Sequence, residues 1–461
     1  MLRNSIWHNA LALASFYLAT LLFCVLDVSP ARGQTFDVIH RFIDQSEGCD
    51  PQLPDLLAQG RDGNLYGTVP FCGASFDGTI FRITPGGTFR ILYQFDSTHG
   101  AFPYGGLTLG SDGNFYGTTS EGGSSGYGTI FRITPGGLLT TLYNFTLGSD
   151  GGNPHASPVE GVDANFYGTT VAGTAYKITR SGFFTSLASL PGASYAPLTQ
   201  SLDGNFYGTT IDGGTFGKGT VFKISRAGVL AVLYNFNGND GSCPLAPVTL
   251  GNDGNLYGTT FLGGPLSGGE VFRLAPGAQL TVLQAYDLNQ TDNGTLPSAG
   301  LILATDGTFY GAAAGGGTFG DGVLFSIDSY PTYSVLYTFD GTTGSSPSAT
   351  PVQHTSGIIY GLTNTGGGQG SAGVLYSLNV GLTPFVKLVT TSGRVGSRIG
   401  ILGGGFTGTS SVKFNGTPAT FTVVSNTFLT TTVPAGATSG FVTVTTPTGI
   451  VTSNVKFQVR P

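Results

Sequence analysis

One phrase constrains this chain more than any other feature. Asp-Gly-Asn-(Leu/Phe)-Tyr-Gly-Thr recurs, and its tyrosines fall at Tyr66, Tyr116, Tyr167, Tyr207, Tyr257, Tyr310 and Tyr360. The successive spacings are 50, 51, 40, 50, 53 and 50 residues. A period of that size marks a tandem array in which units stack on their neighbours. Within the second unit four short β segments can be read, over residues 105–110, 114–119, 128–134 and 138–145. Asp112-Gly113 separates the first two and Pro135-Gly136-Gly137 the last two. Asp-Gly supplies the positive φ of a tight hairpin, and Pro-Gly sets a turn in the same way. Four strands repeated seven times predict a seven-bladed β-propeller.

The ends of the array predict closure. A phrase typical of the outermost strand follows the motif six times, at residues 88–95, 138–145, 183–190, 229–236, 279–286 and 332–339. The seventh unit stops after a third strand at 373–379. A matching strand stands instead near the start, at residues 35–42 (TFDVIHRF). The N-terminal strand is therefore expected to complete the last blade and remove a sheet edge.

Composition agrees with an all-β chain. Glycine occupies 76 of 461 positions, and only 10% of residues are charged, against about 25% in ordinary domains. An apolar fraction of 40% with 12% aromatics excludes disorder. Helix formers are scarce, with one Met and four Glu (Glu47, Glu121, Glu160, Glu270). Residues 1–33 read as a signal peptide: Arg3 opens it, residues 10–26 are apolar apart from Ser15 and Thr20, and Ala31-Arg32-Gly33 offers a cleavage site. Gln34 would begin the mature chain; an uncleaved anchor is the alternative. No second apolar run exists, so no transmembrane segment is expected after cleavage, and the protein is expected outside the cytoplasm, extracellular or at the cell surface or periplasm.

The phrases DGNLYGT, GTIFRITPGG and LYNF resemble the GloVer-type tandem repeat of choice-of-anchor exported proteins, over about residues 35–380. That resemblance implies the repeat and a surface-attached setting, and it implies no ligand. The repeats also look distantly like those of sensor kinases and streptogramin lyases. After Val380 the composition shifts. Residues 384–461 are rich in Thr, Val and Gly, and they resemble an IPT/TIG immunoglobulin-like domain. The residues that carry this are Gly396, Ile401, Gly403, Gly405 and Phe406, Val412-Lys413-Phe414-Asn415-Gly416, Val433-Pro434 and Thr446-Pro447-Thr448-Gly449. The resemblance implies a β-sandwich used as spacer or interaction module. The expected domains are thus 1–33, 34–380 and 384–461.

Candidate chemistry is sparse. The repeated Asp-x-Asn turns lack the further oxygens and downstream Glu of a calcium loop. The histidines occupy non-equivalent positions in their blades, and no Glu-x-His pair or nucleophile elbow occurs. No cofactor and no metal are expected. Arg82, Arg132, Lys177, Lys223 and Arg273 recur on the third strand and are expected to fill interblade space and pair with turn aspartates. Phe76, Tyr127, Phe216 and Phe319 precede the third strand in four units. They form either a ligand platform on one face or packing against neighbouring loops. The third unit lacks this loop, which predicts a notch. Cys49 and Cys72 fall on loops of the same face and are expected to form a disulfide, leaving Cys243 unpaired.

Charge divides the chain. Residues 384–461 hold six bases and no acid, while residues 34–383 carry −13. Either the small domain docks on the acidic propeller, or Arg394 and Arg398 face an anionic envelope polymer. Export and the absence of an aromatic-interleaved basic patch argue against nucleic acid. Two functions are therefore expected: a monomeric, non-catalytic binding or scaffold protein for carbohydrate or a surface protein, or a propeller lyase or hydrolase acting on polysaccharide or glycoconjugate.

Overall fold

A computed structural model describes residues 33–43, 47, 57–368 and 371–461. The expected leader, apart from Gly33, lies outside the described residues, as does Cys49. Among the described residues, the repeat region builds seven four-stranded antiparallel sheets. In six of them the strand order is the chain order. The second unit is typical, with strands Thr108–Leu109, Phe115–Thr119, Thr129–Ile133 and Leu139–Asn144. Its first strand is shorter than the sequence suggests. A Cβ on Gly105 would stand 2.5 Å from the Ala156 carbonyl carbon, so this stretch threads past the next unit's link instead of extending a ladder.

The seventh sheet takes its outer strand from the other end of the chain. Thr35–Ile43 pairs antiparallel with Ser371–Asn379, from Thr35 opposite Asn379 to Ile43 opposite Ser371. Register shifts interrupt the ladder between Val38 and His40 and between Arg41 and Ile43. Phe42 then joins Leu65 and Phe81 of the first unit and Tyr360 and Leu375 of the last in one apolar cluster. Successive sheets meet through similar clusters, such as Tyr66, Ile80 and Phe95 against Phe115 and Phe131. The architecture is a β-propeller, all-β as expected.

The recurring phrase is explained atom by atom. Asp112 accepts hydrogen bonds from the Asn114 side chain (2.7 Å) and from the Tyr116 hydroxyl (2.9 Å), which locks the turn onto the buried ring. Gly117 leaves room for Phe131, whose ring would stand 2.5 Å from a Cβ. Thr118 donates to the Ala156 carbonyl of the next unit (3.0 Å). The same Thr link recurs from Thr209 to Ala246 and from Thr259 to Ala299. One heptapeptide thus closes its own turn, packs its own sheet and ties it to the next.

Residues beyond the repeats form two further four-stranded sheets. One holds Lys387–Leu388, Arg398–Leu402, Phe428–Thr432 and Phe421–Ser425; the other holds Thr417–Ala419, Ser411–Phe414, Val442–Thr446 and Gly449–Thr452. Ser392–Arg394 pairs in parallel with Gln458–Arg460. Both large sheets share a core of Leu388, Ile401, Phe406, Phe414, Val444 and Phe457. This segment rests against the Asp-Gly turns of the repeats. The Phe385 amide donates to the Thr355 carbonyl (3.0 Å), and the Thr427 hydroxyl donates to that of Arg61 (2.8 Å). The Arg61 guanidinium lies 4.5 Å from the Phe428 ring centroid. Among the described residues no helix is long and apolar enough to cross a membrane.

Candidate ligand face

The connections between second and third strands are held rigidly. In the second unit the outer-strand Asn144 side chain accepts from the Ser124 amide (2.9 Å), and Gln94 and Asn235 do the same for Ala74 and Thr215. These anchored loops carry Phe76, Tyr127 and Phe216, and Phe319 stands on the corresponding loop of the sixth unit. Phe76 is 57% exposed, Tyr127 38%, Phe216 57% and Phe319 65%. Phe76 sits at φ 64°, the left-handed region, where Gly126 stands in the next unit. Such a conformation costs a bulky residue about 1 kcal/mol, so the surrounding loop must impose it. Phe71, Glu121, Asp212 and Leu262 border the same loops, and Leu262 and Leu266 add apolar surface in the fifth unit. The aromatics therefore stand out from the loops instead of packing between them.

The third unit replaces the loop by a tight turn, in which the Gly173 amide donates to the Thr170 carbonyl (3.0 Å). Beside it His155 stacks on Tyr104 at 4.5 Å and meets Tyr195 edge-on at 4.8 Å. These three residues occupy equivalent places in successive links, twelve positions before the motif tyrosines Tyr116, Tyr167 and Tyr207. Burial pushes the His155 imidazole down to about 4, so it is neutral at physiological pH.

The other histidines are dispersed. His354 is buried, with Nε2 3.0 Å from the Gly63 carbonyl and Nδ1 2.8 Å from the Ser356 hydroxyl. His99 pairs with Asp96 at 3.0 Å on the surface, and His40 stacks on Phe89 at 4.2 Å beside Glu47. Among the described residues no three of His, Cys, Asp and Glu converge as a metal set. The turn aspartates are already committed to their own turns; at Asp163 burial opposes the charge, but hydrogen bonds from Asn165 and Tyr167 outweigh it and hold the carboxyl below the usual carboxylate range. Of the third-strand cations, Arg82 reaches Asp62 at 4.0 Å and Lys223 reaches Asp203 at 3.2 Å. Cys72 is disulfide-bonded and Cys243 is free. The Cys49–Cys72 pairing lies outside the described residues.

Two features escaped the sequence reading. Glu270 is fully buried, and neither carboxylate oxygen has a hydrogen-bond partner among the described residues. Burial, reinforced by Asp240, raises it to about 8. Its signal was a Glu where four other units place a buried Thr. The second feature is a cleft of about 320 Å³ between the fourth unit and the C-terminal sheets, lined by Leu202, Asp203, Arg226, Arg394, Gln458 and Arg460. Arg398 stands apart from it and donates to the Thr430 hydroxyl (2.9 Å).

Anchored loops on successive four-stranded sheets define a tandem-repeat β-propeller with an aromatic loop face. The chain belongs to the Gloeobacter/Verrucomicrobia repeat family, which matches residues 24–179 and 171–376. No curated protein matches it in sequence. Among solved structures it is similar to virginiamycin B lyase from Staphylococcus aureus, at 15% identity and a TM-score of 0.52, over 75% of this chain and 99% of that one. It is also similar to the WD40 propeller domain of Doa1 (13%, TM-score 0.49, covering 75% and 97%) and to a fungal alcohol oxidase (15%, TM-score 0.47, covering 90% and 98%). At these identities the likeness to the lyase concerns the fold alone.

Proposed function

We propose that the chain is an exported, non-catalytic binding or scaffold protein of the cell surface or extracellular space. Residues 1–33 act as its signal peptide. Residues 34–380 form a seven-bladed propeller closed by the N-terminal strand, and residues 384–461 form an immunoglobulin-like domain that serves as spacer or second contact. The ladder between Thr35–Ile43 and Ser371–Asn379 supports closure, as does the cluster joining Phe42, Leu65 and Tyr360. The shared core of the two C-terminal sheets supports the sandwich.

The observation that carries the function is the exposure of Phe76, Tyr127, Phe216 and Phe319 on the loops between second and third strands. Flat rings held clear of the core suit stacking on sugar rings or on a partner protein at small entropic cost. The test is a glycan array probed with the secreted full-length protein, followed by product analysis of each hit. Phe216→Ala with Phe319→Ala should abolish binding and leave the melting temperature nearly unchanged. Turnover of any bound glycan would overturn the non-catalytic reading. A stability loss of about 3 kcal/mol or more in the double variant would reassign the rings to packing.

A further inference from the structure

Like charges converge where the C-terminal segment meets the repeats. Arg394 and Arg460 face each other across the parallel pair of Ser392–Arg394 and Gln458–Arg460. Arg226, from the fourth repeat, closes the same cleft. Among the described residues none of the three has a carboxylate at ion-pair distance, whereas other basic side chains in the repeats do. The one acidic side chain in the cleft, which Pro461 also lines, is engaged elsewhere: Asp203 accepts from Asn205 (2.6 Å) and Lys223 (3.2 Å). Burial first, then Arg226 and Arg394, depress the Arg460 guanidinium against the opposing charge of Asp163, and burial depresses Arg61 further along the seam. The two parts of the chain therefore meet at the cost of bringing arginines together, a cost that a bound anion relieves.

We infer that this cleft is a binding site for a carboxylate-bearing polysaccharide, gripped from one side by Arg226 and from the other by Arg394 and Arg460. The guanidinium fork matches a carboxylate in bidentate geometry. Asp203 at the wall disfavours a dianionic phosphate more strongly than a monoanionic carboxylate. Leu202, 45% exposed, offers an apolar wall to a sugar ring. Arg61 lines a second cleft between the repeats and the C-terminal sheets and so places a further guanidinium along the seam, which suits a polymer better than a small anion. The inference rests on the exported binding reading, but it uses a different surface from the aromatic face.

The probe is a short oligogalacturonate, titrated into the full-length protein at low salt and again at about 0.15 M, where the Debye length is roughly 8 Å. Wild-type protein should bind at low salt, weaken with salt, and gain melting temperature with ligand. Arg394→Gln and Arg226→Gln, on opposite walls, should each weaken binding about tenfold. Lys413→Gln, on a strand remote from the cleft, should leave it unchanged. Two variants from separate parts of the chain keep the test decisive if one of them fails to fold. Wild-type affinity in both arginine variants would overturn the site. Equal affinity for double-stranded DNA at matched charge would overturn the polysaccharide assignment. Loss of oligogalacturonate binding in the Phe216→Ala, Phe319→Ala protein alone would move the ligand to the other face and leave the general binding function standing.

Discussion

Glu270 shows how much one residue can say against a repeated background. In the second and fourth units the equivalent Thr129 and Thr220 bond across the sheet to Thr119 (2.9 Å) and Thr210 (2.8 Å). In the fifth unit Thr260 faces Glu270, and the hydroxyl and both carboxylate oxygens lack hydrogen-bond partners among the described residues. Nearby, Ala285 replaces the outer-strand Asn and Pro265 replaces the residue whose amide it held, so the local hydrogen-bond set is rewritten as a block. With a pKa raised from 4.5 to about 8 by burial and then by Asp240, the folded protein retains a proton that the unfolded chain releases. Stability contributed by this group is therefore fully present below pH 4.5 and falls as pH rises towards about 8. Glu270→Gln keeps the shape without the charge. Its free energy of unfolding should match the wild type near pH 4.5 and exceed it at pH 8.5, by an amount on the order of 5 kcal/mol. A wild-type-to-variant difference that does not change with pH would remove Glu270 as the titrating group.

At the level of the element, the loops owe their rigidity to a side chain on a different strand. Asn235→Ala should free the Thr215 amide and cost about 1 kcal/mol, measured by urea unfolding, while loosening Phe216 and weakening ligand binding more than stability. An unchanged affinity would show that the loop is rigid without that bond. For the expected Cys49–Cys72 pairing, non-reducing peptide mapping should recover those two cysteines together and Cys243 alone, and a bridge from Cys72 to Cys24 would refute it. Strand order and turn positions were legible because Asp112-Gly113 and Pro135-Gly136 are local signals whose geometry needs no partner. The exposure of Phe216 was not legible, since a ring on a loop has the same sequence whether it packs or protrudes. The arginine cleft was only half legible. Arg394 stood out in an acid-free segment, but Arg226 looked like any turn residue, and only the docking of distant segments brings the two together. Arg398, four residues from Arg394, shared its charge pattern and ended at Thr430 instead.

For the whole molecule the decisive element is the strand Thr35–Ile43, which makes the last sheet depend on a strand that precedes the first repeat. It contributes more than a ladder. Phe36 stacks on Tyr337 at 3.7 Å and lies 5.5 Å from Tyr376, joining the last sheet to the sixth, while Phe42 meets Phe81 of the first at 5.6 Å. Gln34 adds a side-chain bond to the Leu336 carbonyl. One strand thus seals both flanks of its sheet, and removing it opens two packed interfaces as well as a row of backbone hydrogen bonds worth about 1 kcal/mol each. Phe42→Ala should cost about 3 kcal/mol, the usual penalty for emptying a buried aromatic site, and Phe36→Ala less, because its ring is half-buried. Because the two rings seal opposite flanks and share no partner, their effects should add in the double variant to within about 0.5 kcal/mol. Deleting residues 34–43 should lower the melting temperature further than the double variant and expose the edge of Ser371–Asn379, so that the truncated protein self-associates in sedimentation experiments. A truncated monomer that melts with the wild type would mean that the sixth and first sheets hold the last one without its outer strand, and closure by the N-terminal strand would have to be abandoned.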